Sequence, residues 1–186
     1  MPPDSSRFAP RALAYWPAFA AIVLADFVTK RIAEAQLTLH TPREVLGEWI
    51  RFTLTYNTGA AMNFSLGDFS RVGLSVIAVI MLVVLYRMYR EAEAGDTWQA
   101  LALGLVSGGA LGNLVDRIRS VRGVVDFIDV GTSGWRFWTF NVADSAITVG
   151  AVFLVIILMR RPELRSEPPS EPPSEPQSEP PPAAPF

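Results

Sequence analysis

Four long apolar runs constrain this chain more than any other feature: Leu13 to Ile32, Val72 to Tyr89, Trp98 to Val115 and Ala143 to Met159. At 1.5 Å of rise per residue, a helix needs around 20 residues to cross a bilayer core of about 30 Å, with roughly 17 to 25 tolerated. All four runs meet that requirement, the second and fourth narrowly. Hydrophobic residues make up 50% of the 186, and they come in blocks rather than in alternation. This pattern predicts an all-α integral membrane protein, because only closed hydrogen-bonding structures such as helices cross lipid.

The first run has a rival reading as a cleaved leader, since Arg7 and Arg11 precede it and Ala33-Glu34-Ala35 resembles a small-residue cleavage site. Asp26 and Lys30 interrupt it where a leader should be uniformly apolar, so a retained helix is expected. Four spans with short connections predict an up-down-up-down path. The domain organisation is then a polar N-terminal segment (1–11), a four-helix membrane domain (12–161) and a tail (162–186). Ser-Glu-Pro-Pro repeats between Ser166 and Pro182 predict an extended, polyproline-like, disordered tail with no part in the chemistry.

Composition excludes several function classes. There is no cysteine, so thiol nucleophiles, disulfides and thiolate metal sites are absent. The one histidine, His40, stands alone in a polar connection and reads as a surface residue, not a metal ligand. A net charge of −2, spread along the chain, gives a nucleic-acid partner no electrostatic basis. Cations divide almost evenly between the two predicted membrane faces, which leaves no positive-inside signal.

Between the first two runs, Trp49-Ile50-Arg51-Phe52-Thr53-Leu54-Thr55-Tyr56 is β-branched and aromatic with partial alternation, predicting a small β-rich extramembrane element between helices 1 and 2. Gly131 to Phe140 carries Trp135, Phe137, Trp138 and Phe140, rings that favour the headgroup layer.

The up-down path brings the polar residues to one face. Asn113, Asp116 and Arg117 share a helix face by their i, i+3, i+4 spacing, where an apolar run ends. Arg117 and Asp116 fit a snorkelling helix end as well as a site, but an amide inside an apolar run must find a partner. Ala100, Gly104, Gly108 and Gly112 form a small-residue stripe whose expected role is close helix packing. Asn141 and Asp144 fit an N-cap and a first-turn acid, a role compatible with catalysis. Asp26 and Lys30, four apart, fit an intrahelical ion pair. Asp126 lies among β-branched and aromatic residues, where a lone acid is usually a solvated edge residue; convergence with Asp144 gives it significance. Two close carboxylates in a low-dielectric pocket share a proton, the working state of an aspartic protease.

Three other readings compete. Intramembrane acids also suit a proton- or cation-coupled carrier, and the small-residue helix suits a packing or assembly protein. A Ser/Lys peptidase would use Lys30, the chain's single lysine, with Ser65, Ser120, Ser133 or Ser145.

Asp26-Phe27-Val28-Thr29-Lys30, Asn57-Thr58-Gly59-Ala60-Ala61, Gly108 to Arg117, Val124-Val125-Asp126-Phe127 and Phe140-Asn141-Val142-Ala143-Asp144-Ser145 occur in an order that resembles the bacterial lipoprotein signal peptidases, or signal peptidase II. The resemblance implies an intramembrane aspartic endopeptidase that cuts diacylglyceryl-modified prolipoproteins immediately before the lipidated cysteine. It implies Asp126 and Asp144 as the catalytic pair, and Asn57, Asn113, Arg117 and Asn141 as residues that bind and orient. Asp26, Lys30 and Asp116 would support them. It implies no metal or other cofactor, prolipoprotein and membrane lipid as partners, and a monomer. The expected place is the bacterial inner membrane, with the site near the outer face and both termini cytoplasmic.

Overall fold

The computed structural model describes residues 10–59 and 68–160. Four helices, α1 (Pro10–Gln36), α2 (Asp68–Glu91), α3 (Thr97–Arg119) and α4 (Val142–Arg160), are joined to a three-stranded sheet of β1 (Arg43–Leu46), β2 (Ile50–Asn57) and β3 (Val124–Val130). Each apolar run gives one helix, extended past the run by polar end residues, and all four helices are long and apolar enough to cross a membrane.

Their packing inverts that of a water-soluble bundle. Leu24, Ile77 and Val152 point outward, at 64%, 56% and 56% exposure, while Asp26 and Lys30 are each only 1% exposed. An outward apolar surface around a polar interior is what a lipid solvent selects.

Helix α3 is the centre against which α1, α2 and α4 all pack. The small-residue stripe explains how. A Cβ at Gly104 would lie 2.6 Å from the Tyr15 carbonyl oxygen, one at Gly108 2.9 Å from that of Phe19, and one at Gly112 2.5 Å from Asp26 Oδ2. Only hydrogen at these positions lets α1 approach so closely. Gly150 performs the same service for α4, its missing Cβ facing the Ala102 carbonyl oxygen at 2.9 Å. At the opposite end from the polar cluster, Tyr15 of α1 stacks on Tyr89 of α2 with ring centroids 4.2 Å apart, over Leu103 of α3.

The sheet differs from expectation in one respect. Its order is β1-β2-β3, both pairs antiparallel, so the element between α1 and α2 is completed by a strand from the α3–α4 connection. The physical reason is that a hairpin alone is marginal in water. The β-branched run Val124–Val130 supplies the third strand and the apolar face. Gly123, at φ +94°, lets the chain turn from α3 directly into β3 against the Asn57 carbonyl. Beyond β3, Phe140 pairs with Ile128 and covers the outer edge. Part of the polar N-terminal segment (1–9), Ala60 and Ala61 of the Asn57 motif, Ser65, and the tail from residue 161 lie outside the described residues.

Candidate active site

Helix α4 begins with a reciprocal cap. Asn141 Oδ1 accepts the Asp144 backbone N–H at 2.9 Å, and Asp144 Oδ2 accepts that of Asn141 at 3.3 Å. The Ala143 N–H, another donor the helix leaves unmade, goes to Asp26 Oδ1 on α1 at 2.9 Å. Capping therefore fixes the carboxylate of Asp144 and ties α4 to α1 at once.

Because Asn141 Oδ1 is committed to a backbone donor, its amide nitrogen must face the other way. It donates to Asp126 Oδ1 at 2.7 Å, to Asn113 Oδ1 at 3.2 Å and to the Val125 carbonyl at 3.2 Å. Asn113 is oriented by the same logic. Its Oδ1 also accepts from Lys30 Nζ at 2.9 Å, so its nitrogen faces Asp144 Oδ1 at 2.7 Å. Flipping either amide would set donor against donor. Asp126 and Asp144 are thus joined by a chain of two asparagines.

Behind this chain lies an ion cluster. Lys30 Nζ meets Asp26 Oδ2 at 2.8 Å, Asp116 Oδ2 at 2.9 Å and Asn113 Oδ1, which occupies the three donors of an ammonium. Asp116 also accepts from the Val125 N–H at 3.2 Å and from Arg31 Nη2 at 3.4 Å. Unpaired, buried charges of this kind would each cost several kcal/mol. The expected Asp26–Lys30 ion pair is present, extended by Asp116. A general-base role for Lys30 finds no support: no described serine is among its partners, and Ser145 Oγ donates to the Asn141 carbonyl at 3.0 Å.

Asp126 and Asp144 line one cavity of about 760 Å³ together with Asn57 and Arg117. Arg117 Nη1 donates to the Asn113 carbonyl at 3.3 Å. Asp126, 2% exposed, is a buried β3 residue and not a solvated edge acid. Burial first, and then the charge of Asp144, push its carboxyl up to about 7, against the opposing hydrogen bonds of Asn141 and Asn57. The pair therefore combines a carboxyl that holds a proton near neutrality with a second carboxylate, a set that can activate water and polarise a carbonyl. Among the described residues, no group of three His, Cys, Asp or Glu side chains is arranged to hold a metal ion.

Several residues that the structure brings to the site carry no site role by sequence, where His40, Phe137 and Trp138 read only as surface or headgroup-layer residues. Thr55 and Thr139 place their hydroxyls 2.8 Å apart on the cavity wall, and Phe137, Trp138 and His40 line it. Asp129 anchors that wall, accepting from Arg136 Nε at 2.6 Å, Thr53 Oγ1 at 2.8 Å and Arg51 Nε at 3.3 Å. The acidic pair spacing in Asp126-Phe127-Ile128-Asp129 was the available signal for Asp129; nothing local signals the rest.

The profile of the signal peptidase II family matches residues 18–160. A lipoprotein signal peptidase of Pseudomonas aeruginosa is 44% identical over 163 residues, which span 85% of this chain and 94% of that protein. Another, of Ectopseudomonas mendocina, is 40% identical over 169 residues, 89% of this chain and 98% of that one. A solved bacterial membrane enzyme superposes with a TM-score of 0.72 at 30% identity, covering 81% of this chain and 90% of the other.

Proposed function

Since the chain belongs to the signal peptidase II family, we propose that it is an intramembrane aspartic endopeptidase that removes the signal peptide of diacylglyceryl-prolipoproteins just before the lipidated cysteine. The observation that carries the reading is the convergence of Asp126 and Asp144 on one cavity, linked through Asn141 and Asn113.

In this mechanism Asp126, whose carboxyl is raised by burial, carries the shared proton and polarises the scissile carbonyl. Asp144, held by two asparagine donors, takes a proton from the attacking water. The proton on Asp126 then passes to the leaving amine nitrogen as the C–N bond breaks, and the proton that Asp144 took from water moves to Asp126, which restores the starting state of the pair. Asn57 and Arg117 bind the substrate backbone where it crosses the cavity. Phe137 and Trp138 offer an apolar wall to the acyl chains and the signal helix, which reach the site laterally from lipid.

In the membrane the four helices (12–161) run up-down-up-down in the inner membrane, with the sheet and the cavity at the outer face and both termini in the cytoplasm. The chain acts as a monomer, surrounded by lipid, and the tail (162–186) stays outside the chemistry.

Cleavage of a lipidated precursor by purified Asp126→Asn and Asp144→Asn variants tests this. Each is expected to lose about 10²- to 10⁴-fold in kcat, the usual range for one acid-base group, while remaining folded in detergent. Undiminished turnover in either variant removes that residue from the pair.

A further inference from the structure

The lone histidine of the chain occupies an unusual backbone position at the rim of the catalytic cavity. Thr38 to Thr41 forms a tight turn, closed by the Thr41 N–H on the Thr38 carbonyl at 3.1 Å, and His40 within it takes φ +57°. That left-handed conformation is uncommon outside glycine, with asparagine, aspartate and histidine the most frequent exceptions, and it carries a backbone cost. Strain of this kind persists where the surroundings fix it, and here the His40 N–H is tied to the Leu54 carbonyl of β2 at 3.0 Å. The result places the His40 side chain on the wall of the cavity that holds Asp126 and Asp144.

The two sides of that cavity differ in chemistry. One side is apolar, formed by Phe137, Trp138 and Ile147, and the same face of α4 continues to Val155, 54% exposed. The other is polar, built by His40 in the turn after α1 and by Thr55 and Tyr56 of β2. A substrate whose signal helix lies in lipid must lay its apolar part along the first side and its departing polar part along the second.

Resting on the peptidase reading, we infer that His40 is a specificity residue that reads the side chains directly after the lipidated cysteine, and that its imidazole favours an acidic one over a basic one. A protonated imidazole is donor-only, so it bonds and attracts a carboxylate and repels an ammonium, and even the neutral ring offers a carboxylate one N–H. The contact is made at a solvent-open rim, so one hydrogen bond of the ordinary net size sets the scale, about 3- to 10-fold in affinity.

The test uses the full chain in lipid micelles with lipidated precursors that carry either Asp or Lys at the two positions after the cysteine. The unaltered protein should show a KM about 3- to 10-fold lower for the Asp precursor. In His40→Gly, which keeps the left-handed turn and has no side chain to donate, the ratio should fall to near one through KM. His40→Lys should restore the preference, while a purely structural His40 would show no such rescue. A ratio in His40→Gly equal to that of the unaltered protein overturns the assignment alone. Failure of the unaltered protein to cut any lipidated precursor overturns the peptidase reading, and the assignment with it.

Discussion

Asn141 donates its amide N–H to Asn113 Oδ1 at 3.2 Å, and through that contact two acids delivered by different segments come under common control. Neither amide is free to turn, because a helix N-terminus claims one and a buried lysine the other. The placement of both acids is therefore fixed by the start of α4 and by Lys30, which is the preorganisation the proposed peptidase requires.

Lys30→Met should be among the most damaging single changes. It leaves the buried Asp26 without a cation and Asp116 with only its 3.4 Å contact to Arg31, a change that costs about 3–5 kcal/mol, and it frees the Asn113 amide. Thermal unfolding in detergent should report the loss. Adding Asp26→Asn and Asp116→Asn should recover part of the stability without restoring full kcat. Full activity in Lys30→Met alone would show that Asn113 does not need its lysine.

The pH profile should carry the signature of Asp126. Its folded-state carboxyl is raised to about 7, so it is protonated below that value and loses its proton as pH rises through it. We expect kcat/KM to fall along an alkaline limb near neutrality. The charge of Asp144 is the second cause of the shift after burial, so in Asp144→Asn the Asp126 carboxyl should titrate lower, still above a free aspartate. The infrared band of the protonated carboxyl measures this directly, and an unmoved midpoint would mean the two acids are uncoupled.

Arg136→Ala should loosen the cavity wall without touching the acids. Burial alone would raise the Asp129 carboxyl, but the Arg136 and Thr53 hydrogen bonds and the Arg136 and Arg51 charges outweigh it and hold it below the usual aspartate value. A depressed acid contributes stability above its unfolded pKa and loses it as pH falls through the folded one. The variant should lose about 2 kcal/mol near neutrality, and the gap to the unaltered protein should close on acidification. A gap that is constant with pH would assign the effect to packing.

Gly112→Ala should destabilise by about 1–3 kcal/mol through overpacking, since the new methyl would sit 2.5 Å from Asp26 Oδ2. Gly73→Ala on α2 meets nothing within 4 Å. It should be neutral or stabilising by up to about 1 kcal/mol, which makes the pair a controlled comparison in one melting experiment.

The helices were legible because lipid demands a length that the four runs supply. Asp26, Lys30, Asn113 and Asp144 stood out because each interrupts an apolar run, where a polar group must have a partner. The capping role of Asn141 was legible from its offset to Asp144. The third strand was not, because pairing between Thr55 and Asp126 crosses 71 residues and two helices, a relation that no local periodicity encodes. The same distance hid Thr139 and Asp129. His40 is exposed, as its polar connection indicated; that its turn sets it at the rim of the cavity was not legible, because a single histidine carries no pattern.

The sheet is stitched from two connections, with Thr53 and Asp129 meeting across 76 residues. Ribosomes release chains from the N-terminus onward, so β1 and β2 emerge long before β3 exists to complete them. A nascent copy holding only its first two spans has neither acid, and one holding three has not yet received Asp144. On the peptidase reading, the pair is complete only once the fourth span is in place, a dependence that follows from the order of the segments alone.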